Sequence, residues 1–70
     1  MRIILTDHAK KRMAQRAISM HHIQEALDLP DYTVSKGRLL ESVKKFNDKT
    51  LQIVVEKKDK YIKVITVEWK

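Results

Sequence analysis

Pro30 divides the chain into two stretches whose apolar residues repeat with different periods, so neither an all-helical nor an all-β fold accommodates both. Upstream, Ala9, Met13 and Ala17, followed by Met20, Ile23, Ala26 and Leu27, recur at the spacing of amphipathic helices. Downstream, Leu51-Gln52-Ile53-Val54-Val55-Glu56 and the run Ile62, Val64, Ile65, Thr66, Val67 have the β-branched character of strands. Helices gathered on one side of an antiparallel sheet make an α+β domain, and that is the expected class.

Arg2 to Leu5 reads as a short strand leading into the first helix. Thr6 is its N-cap, Asp7 complements the helix dipole in the first turn, and the helix runs to about Arg16. Ser19 caps a second helix, with Ile18 and Ile23 as a hydrophobic staple, and Pro30 ends it because Leu29 is biased away from helical dihedrals. The short connection makes the two helices a packed pair. Tyr32-Thr33-Val34 and Gly37 read as a strand and a turn. Leu39 to Phe46 fits a helix at Leu39, Val43 and Phe46, but the turn Asn47-Asp48-Lys49-Thr50 before the next strand favours a hairpin. Lys57-Lys58-Asp59-Lys60 is a second turn, and Tyr61 to Trp69 is apolar enough for a central strand. The predicted order is β-α-α followed by an antiparallel meander of three to four strands, with the two helices on one face of the sheet, in a single domain of 70 residues.

The residues that carry chemistry are concentrated on the first helix. His8, Arg12 and Arg16 are four apart, so they form one stripe that drifts by about 40° per step from the polar side toward the apolar face. An imidazole beside two guanidiniums has the makings of a phosphate site; the plainer reading of the same spacing is a basic edge of an amphipathic helix. Lys11, Arg38, Lys44 and Lys45 are further candidate phosphate contacts, and strand alternation turns one of the last two away from the core. His21 and His22 fall in the first turn of the second helix, where the dipole opposes protonation, and read as exposed or cap-adjacent residues. They are adjacent and diverge, with no carboxylate at ligand spacing, so no metal or other cofactor is expected. Trp69 reads as cover for an apolar edge before it reads as a base-stacking platform.

Composition narrows the partner. Fifteen Lys and Arg against nine Asp and Glu give a formal net charge of +6, which favours polyanions, RNA first among them. The absence of cysteine excludes a disulfide framework and a thiolate nucleophile and suits a reducing cytoplasm, the expected location. Met1 to Leu5 is too short for a signal segment, and charge breaks every later apolar run before membrane-spanning length, so no membrane partner is expected. A core this small would gain from homodimerisation or a partner protein.

Taken together, Thr6-Asp7-His8-Ala9, Arg12-Met13, Arg16-Ala17-Ile18-Ser19, Ile23, Ala26-Leu27, Pro30-Asp31, Val64-Ile65-Thr66-Val67 and Trp69 resemble the domain-of-unknown-function family numbered 4258 over nearly the whole chain. Ala17 departs from the pattern, where glycine is usual; alanine closes such a turn readily only at negative φ. The resemblance implies a small ribonuclease-like fold akin to RelE and ParE toxins and colicin D-type catalytic domains, which cleave RNA without metal where they are active. Mapped onto this chain, it implies a catalytic set of His8, Arg12, Arg16 and Thr66, and an antitoxin protein as a partner.

In that chemistry His8 serves as base or acid, the arginines hold the phosphate while the ribose 2′-OH attacks, and Thr66 orients it. A threonine hydroxyl does not supply acid catalysis near neutrality, so a second proton-transfer group is missing from the set. The expectation is a metal-independent endoribonuclease of toxin-antitoxin type. The alternatives are a noncatalytic nucleic-acid or protein interaction module on the same fold, and an inert structural subunit whose Lys and Glu content reflects heat adaptation. Both faces around Thr66 are apolar, so alternation does not assign it to either side of the sheet.

Overall fold

The computed structural model describes residues 2–70. Its elements are β1 (Arg2–Leu5), α1 (Asp7–Arg16), α2 (Met20–Asp28), β2 (Tyr32–Lys36), β3 (Leu39–Phe46), β4 (Lys49–Lys57) and β5 (Tyr61–Trp69). The sheet runs in the order β1-β5-β4-β3-β2. Strands β2 to β5 are an antiparallel meander of four, and β1 pairs parallel with β5 at one edge. The α+β class and the helices-before-meander order are as the sequence predicts, and Leu39–Phe46 is a strand. The parallel pairing of the first and last strands is a feature that the sequence does not predict. It makes β5 an interior strand and leaves β1 and β2 as the edges.

Both helices lie on one face, α1 over β5 and β1, α2 over β3 and β4. Alternation along β4 sends Leu51, Ile53 and Val55 to that face, each with no exposed surface, where they meet Ala9, Ile18, Ile23, Ala26, Val64 and Val67. Full burial of each larger aliphatic side chain contributes about 1.5–3 kcal/mol, which makes this layer the main source of stability. Ile18 and Ile23, the expected staple, are both part of it. Ser42, only 1% exposed, donates its hydroxyl to the Ala26 carbonyl at 2.7 Å and ties α2 to β3 without leaving a buried polar atom unpaired.

A bulge breaks the β4–β5 register. Val54 pairs with Thr66 but the next residue, Val55, pairs with Val64, leaving Ile65 as the extra residue. Because of it Val64 and Val67 both reach the core. Thr66, opposite Val54, therefore belongs to the face that carries no helix.

The helix ends explain the rest of the chain path. Thr6 Oγ1 accepts from the Ala9 amide and donates to the Ile65 carbonyl, both at 3.0 Å, while the Thr6 amide donates to the Val64 carbonyl at 3.1 Å. The N-terminus of α1 is thus fastened to the bulge in β5. Ala17 closes α1 with φ 54°, ψ 44°, in the left-handed region rather than at the negative φ that alanine prefers. The two-residue hairpin turn at Gly37-Arg38 places Gly37 at φ 63°, where glycine carries no Cβ strain.

Candidate nucleic-acid interface

One polar depression, about 200 Å³, lies on the exposed side of α1 and is lined by His8, Lys11, Arg12 and Gln15. Those positions follow the i, i+3, i+4, i+7 rule and occupy a single strip of the helix. Their register is fixed from below: Ala9 is fully buried and Met13 packs on the core, so the strip faces solvent. Arg12 is partly buried and the other three are exposed.

Arg12 Nε lies 3.5 Å from His8 Nε2, a long contact in which the guanidinium donates to the ring nitrogen. None of the three ion pairs among the described residues, His21–Glu25, Lys36–Glu41 and Lys58–Glu56, involves Lys11, Arg12 or Arg16. The depression thus presents a guanidinium, an ammonium, an amide and an imidazole with no carboxylate among them. An anion with several acceptor oxygens is the ligand that such donors hold.

The expected site residues do not all converge here. Arg16 lies toward the apolar flank of α1 and does not line the depression; its backbone carbonyl instead accepts the Trp69 indole N–H at 2.8 Å. Thr66 is on the helix-free face of the sheet, so the sheet separates it from His8 and Arg12. The helix set and Thr66 do not form one constellation. Lys44 faces the helices, opposite Leu51, and its Nζ donates to the Leu29 carbonyl at 2.9 Å. It satisfies an orphan carbonyl at the end of α2, a capping role. Lys45 faces the other way, and its backbone amide donates to Asp31 Oδ2 at 2.8 Å. Arg38 sits in the β2–β3 turn, at the edge of the sheet farthest from β1. Of the additional basic candidates, Lys11 alone joins the depression.

His22 proves structural. Its Nδ1 accepts from the Ser19 amide at 3.0 Å while Ser19 Oγ accepts from the His22 amide at 3.2 Å, a capping box with histidine in the usual glutamate position. The ring also meets Phe46 and Trp69 edge-on, at centroid separations of 5.1 and 5.4 Å. These contacts, with the indole bond to Arg16, clamp the α1–α2 junction to the ends of β3 and β5. His21 is exposed and 3.6 Å from Glu25.

Gln15 lines the depression although its residue type alone gives no hint of a site. It stands seven residues after His8, two helical turns on, and that spacing is the signal in the sequence that points to it. Among the described residues no cluster of three or more His, Asp or Glu side chains is arranged to hold a metal ion. No helix among them is long and apolar enough to cross a membrane.

A family model described as "Domain of unknown function (DUF4258)" matches residues 5–69. No curated protein matches the chain, and no solved structure does.

Proposed function

The chain belongs to the DUF4258 family, whose description assigns no activity, and from its own side chains we propose a small basic RNA-binding domain that cleaves by 2′-OH attack without metal. The observation that carries the reading is the carboxylate-free depression of His8, Lys11, Arg12 and Gln15 on α1. A backbone phosphate seated there takes donors from Arg12, Lys11 and Gln15, and a ribose 2′-OH beside it comes within reach of His8. The neutral imidazole removes the 2′ proton as that oxygen bonds to phosphorus. The P–O5′ bond breaks, the leaving oxygen takes a proton from solvent, and the products are a 2′,3′-cyclic phosphate and a free 5′-hydroxyl. In the free protein Arg12 donates to His8 Nε2, so the guanidinium must turn onto the phosphate before that lone pair accepts the 2′ proton.

A cytoplasmic location and a toxin-antitoxin setting fit this reading. An acidic partner laid over α1 would cover the four lining residues at once and silence the domain. The test is cleavage of mixed cellular RNA by the purified chain in EDTA, with His8→Ala and Arg12→Ala folded equally well by circular dichroism. Cleavage by the parent alone, with RNA binding retained by His8→Ala, supports the enzyme.

A second reading, a noncatalytic RNA-binding module, draws on the position of Thr66 across the sheet and on the absence of a second histidine or a carboxyl group among the lining residues. It predicts salt-sensitive binding in the same assay and no cyclic phosphate.

A further inference from the structure

The edge formed by β2 is unpaired and carries a single charge, the terminal Lys36. All five of its residues are exposed, and it contains no proline, no bulge and no inward charge. Three of the five large apolar side chains most exposed among the described residues lie on its helix-free face, Tyr32 at 59% and Val34 at 37% on β2 itself and Leu39 at 38% on the adjoining strand. The opposite edge, β1, is shorter, begins with Arg2, and has α1 packed beside it.

The residue order along β2 suits one occupant. We infer that β2 pairs antiparallel with β2 of a second copy of this chain, about a two-fold axis through Val34, joining the two sheets into one. In that register Val34 meets Val34 of the second copy, Thr33 meets its Ser35, and Tyr32 meets its Lys36. Reading Tyr32-Thr33-Val34-Ser35-Lys36 against itself thus matches an aliphatic with an aliphatic, a hydroxyl with a hydroxyl, and an aromatic ring with a cation, each a favourable cross-strand pair. No like charges oppose one another. The strand's one charge, Lys36, stays a cation but has a counter-charge in its own copy, Glu41 at 3.1 Å. Tyr32 of each copy also comes beside Lys36 and Leu39 of the other, because Leu39 is the register partner of Lys36 on the same face. The α1 depressions stay at the two outer ends of the joined sheet, open to solvent, so the pairing is independent of RNA binding.

Salt gives the pairing a distinctive signature. Two chains of net charge +6 repel at long range while the seam itself is neutral, so association tightens as salt screens that repulsion. Nucleic-acid binding responds in the opposite direction.

Sedimentation velocity of the full chain over a range of concentrations and at two salt levels tests the inference. The parent shows a monomer–dimer equilibrium that shifts to dimer at high salt. Val34→Lys sets two ammonium groups face to face on the axis and weakens the dimer by at least about fivefold. Tyr32→Lys, which opposes Lys36 of the second copy, does the same and serves where Val34→Lys fails to fold. Ile4→Lys, on the other edge, leaves the equilibrium unchanged. A parent that stays monomeric throughout, or a dimer lost with Ile4→Lys and kept with Val34→Lys and Tyr32→Lys, overturns it.

Discussion

Trp69 and Arg16 are joined across 53 residues of sequence by a 2.8 Å hydrogen bond from the indole N–H to the backbone carbonyl. The acceptor lies in the last turn of α1, where no intrahelical partner exists, so the last residue of β5 finishes the helix that bears the candidate site. Trp69→Phe keeps most of the packing against His22 and Phe46 but removes the donor. The expected loss is about 1 kcal/mol. For a domain of this size that lowers the unfolding temperature by about 4–8 °C, read by circular dichroism. An unchanged melting temperature would mean that the bond contributes nothing.

Ala17 offers the reverse test, because its φ of 54° places a Cβ where only glycine is unstrained. Ala17→Gly should stabilise the chain by about 1 kcal/mol and raise the melting temperature, despite the greater flexibility of glycine when unfolded. A drop would indicate a negative φ at the α1–α2 turn.

Lys44 and Lys45 are neighbours with opposite assignments, and the contrast between them is measurable. Lys44→Met removes the donor to the Leu29 carbonyl and a cation near the C-terminus of α2, costing about 0.5–1 kcal/mol while RNA affinity falls only by the general effect of removing one charge. Lys45→Met, with its side chain on the exposed helix-free face, should change the melting temperature little. Equal effects on stability would contradict the capping role.

His8, in the first turn of α1, and His22, in the first turn of α2, separate activity from structure. His22→Ala removes half of the capping box and two edge-on aromatic contacts, for a loss of about 1–2 kcal/mol. At a temperature where it remains folded, its RNA cleavage should match the parent. His8→Ala should do the opposite, abolishing cleavage with little change in thermal unfolding. Cleavage that survives His8→Ala would remove the proposed base.

The parts of this fold legible in the sequence are those that local chemistry determines. Thr6 and Ser19 can be read as caps because each carries a hydroxyl just before a helical period, and Leu51, Ile53 and Val55 as core because alternation alone exposes or buries them. The pairing of β1 with β5 is not legible, since Arg2-Ile3-Ile4-Leu5 states that a strand forms and not which strand it joins. The side of the sheet taken by Thr66 depends on a single extra residue, Ile65, inside a run that is apolar on both faces. For the site, the helical strip is visible in the spacing of His8 and Arg12. Arg16 shares that regular spacing but lies too far round the helix, whereas Lys11 and Gln15 complete the strip.

If α1 grips an RNA phosphate through Lys11 and Arg12, as proposed, the salt dependence of RNA affinity carries the signature. Binding of a single-stranded RNA of fixed length is measured from low to moderate salt for the parent, Lys11→Gln, Arg12→Gln and a control, Arg38→Gln. Log affinity should fall linearly with log salt. Lys11→Gln and Arg12→Gln should each reduce the slope by about 0.7, because each leaves one phosphate without its cation, while Arg38→Gln leaves the slope unchanged. Slopes for Lys11→Gln and Arg12→Gln equal to the parent's would contradict it and move the RNA-binding surface off this helix.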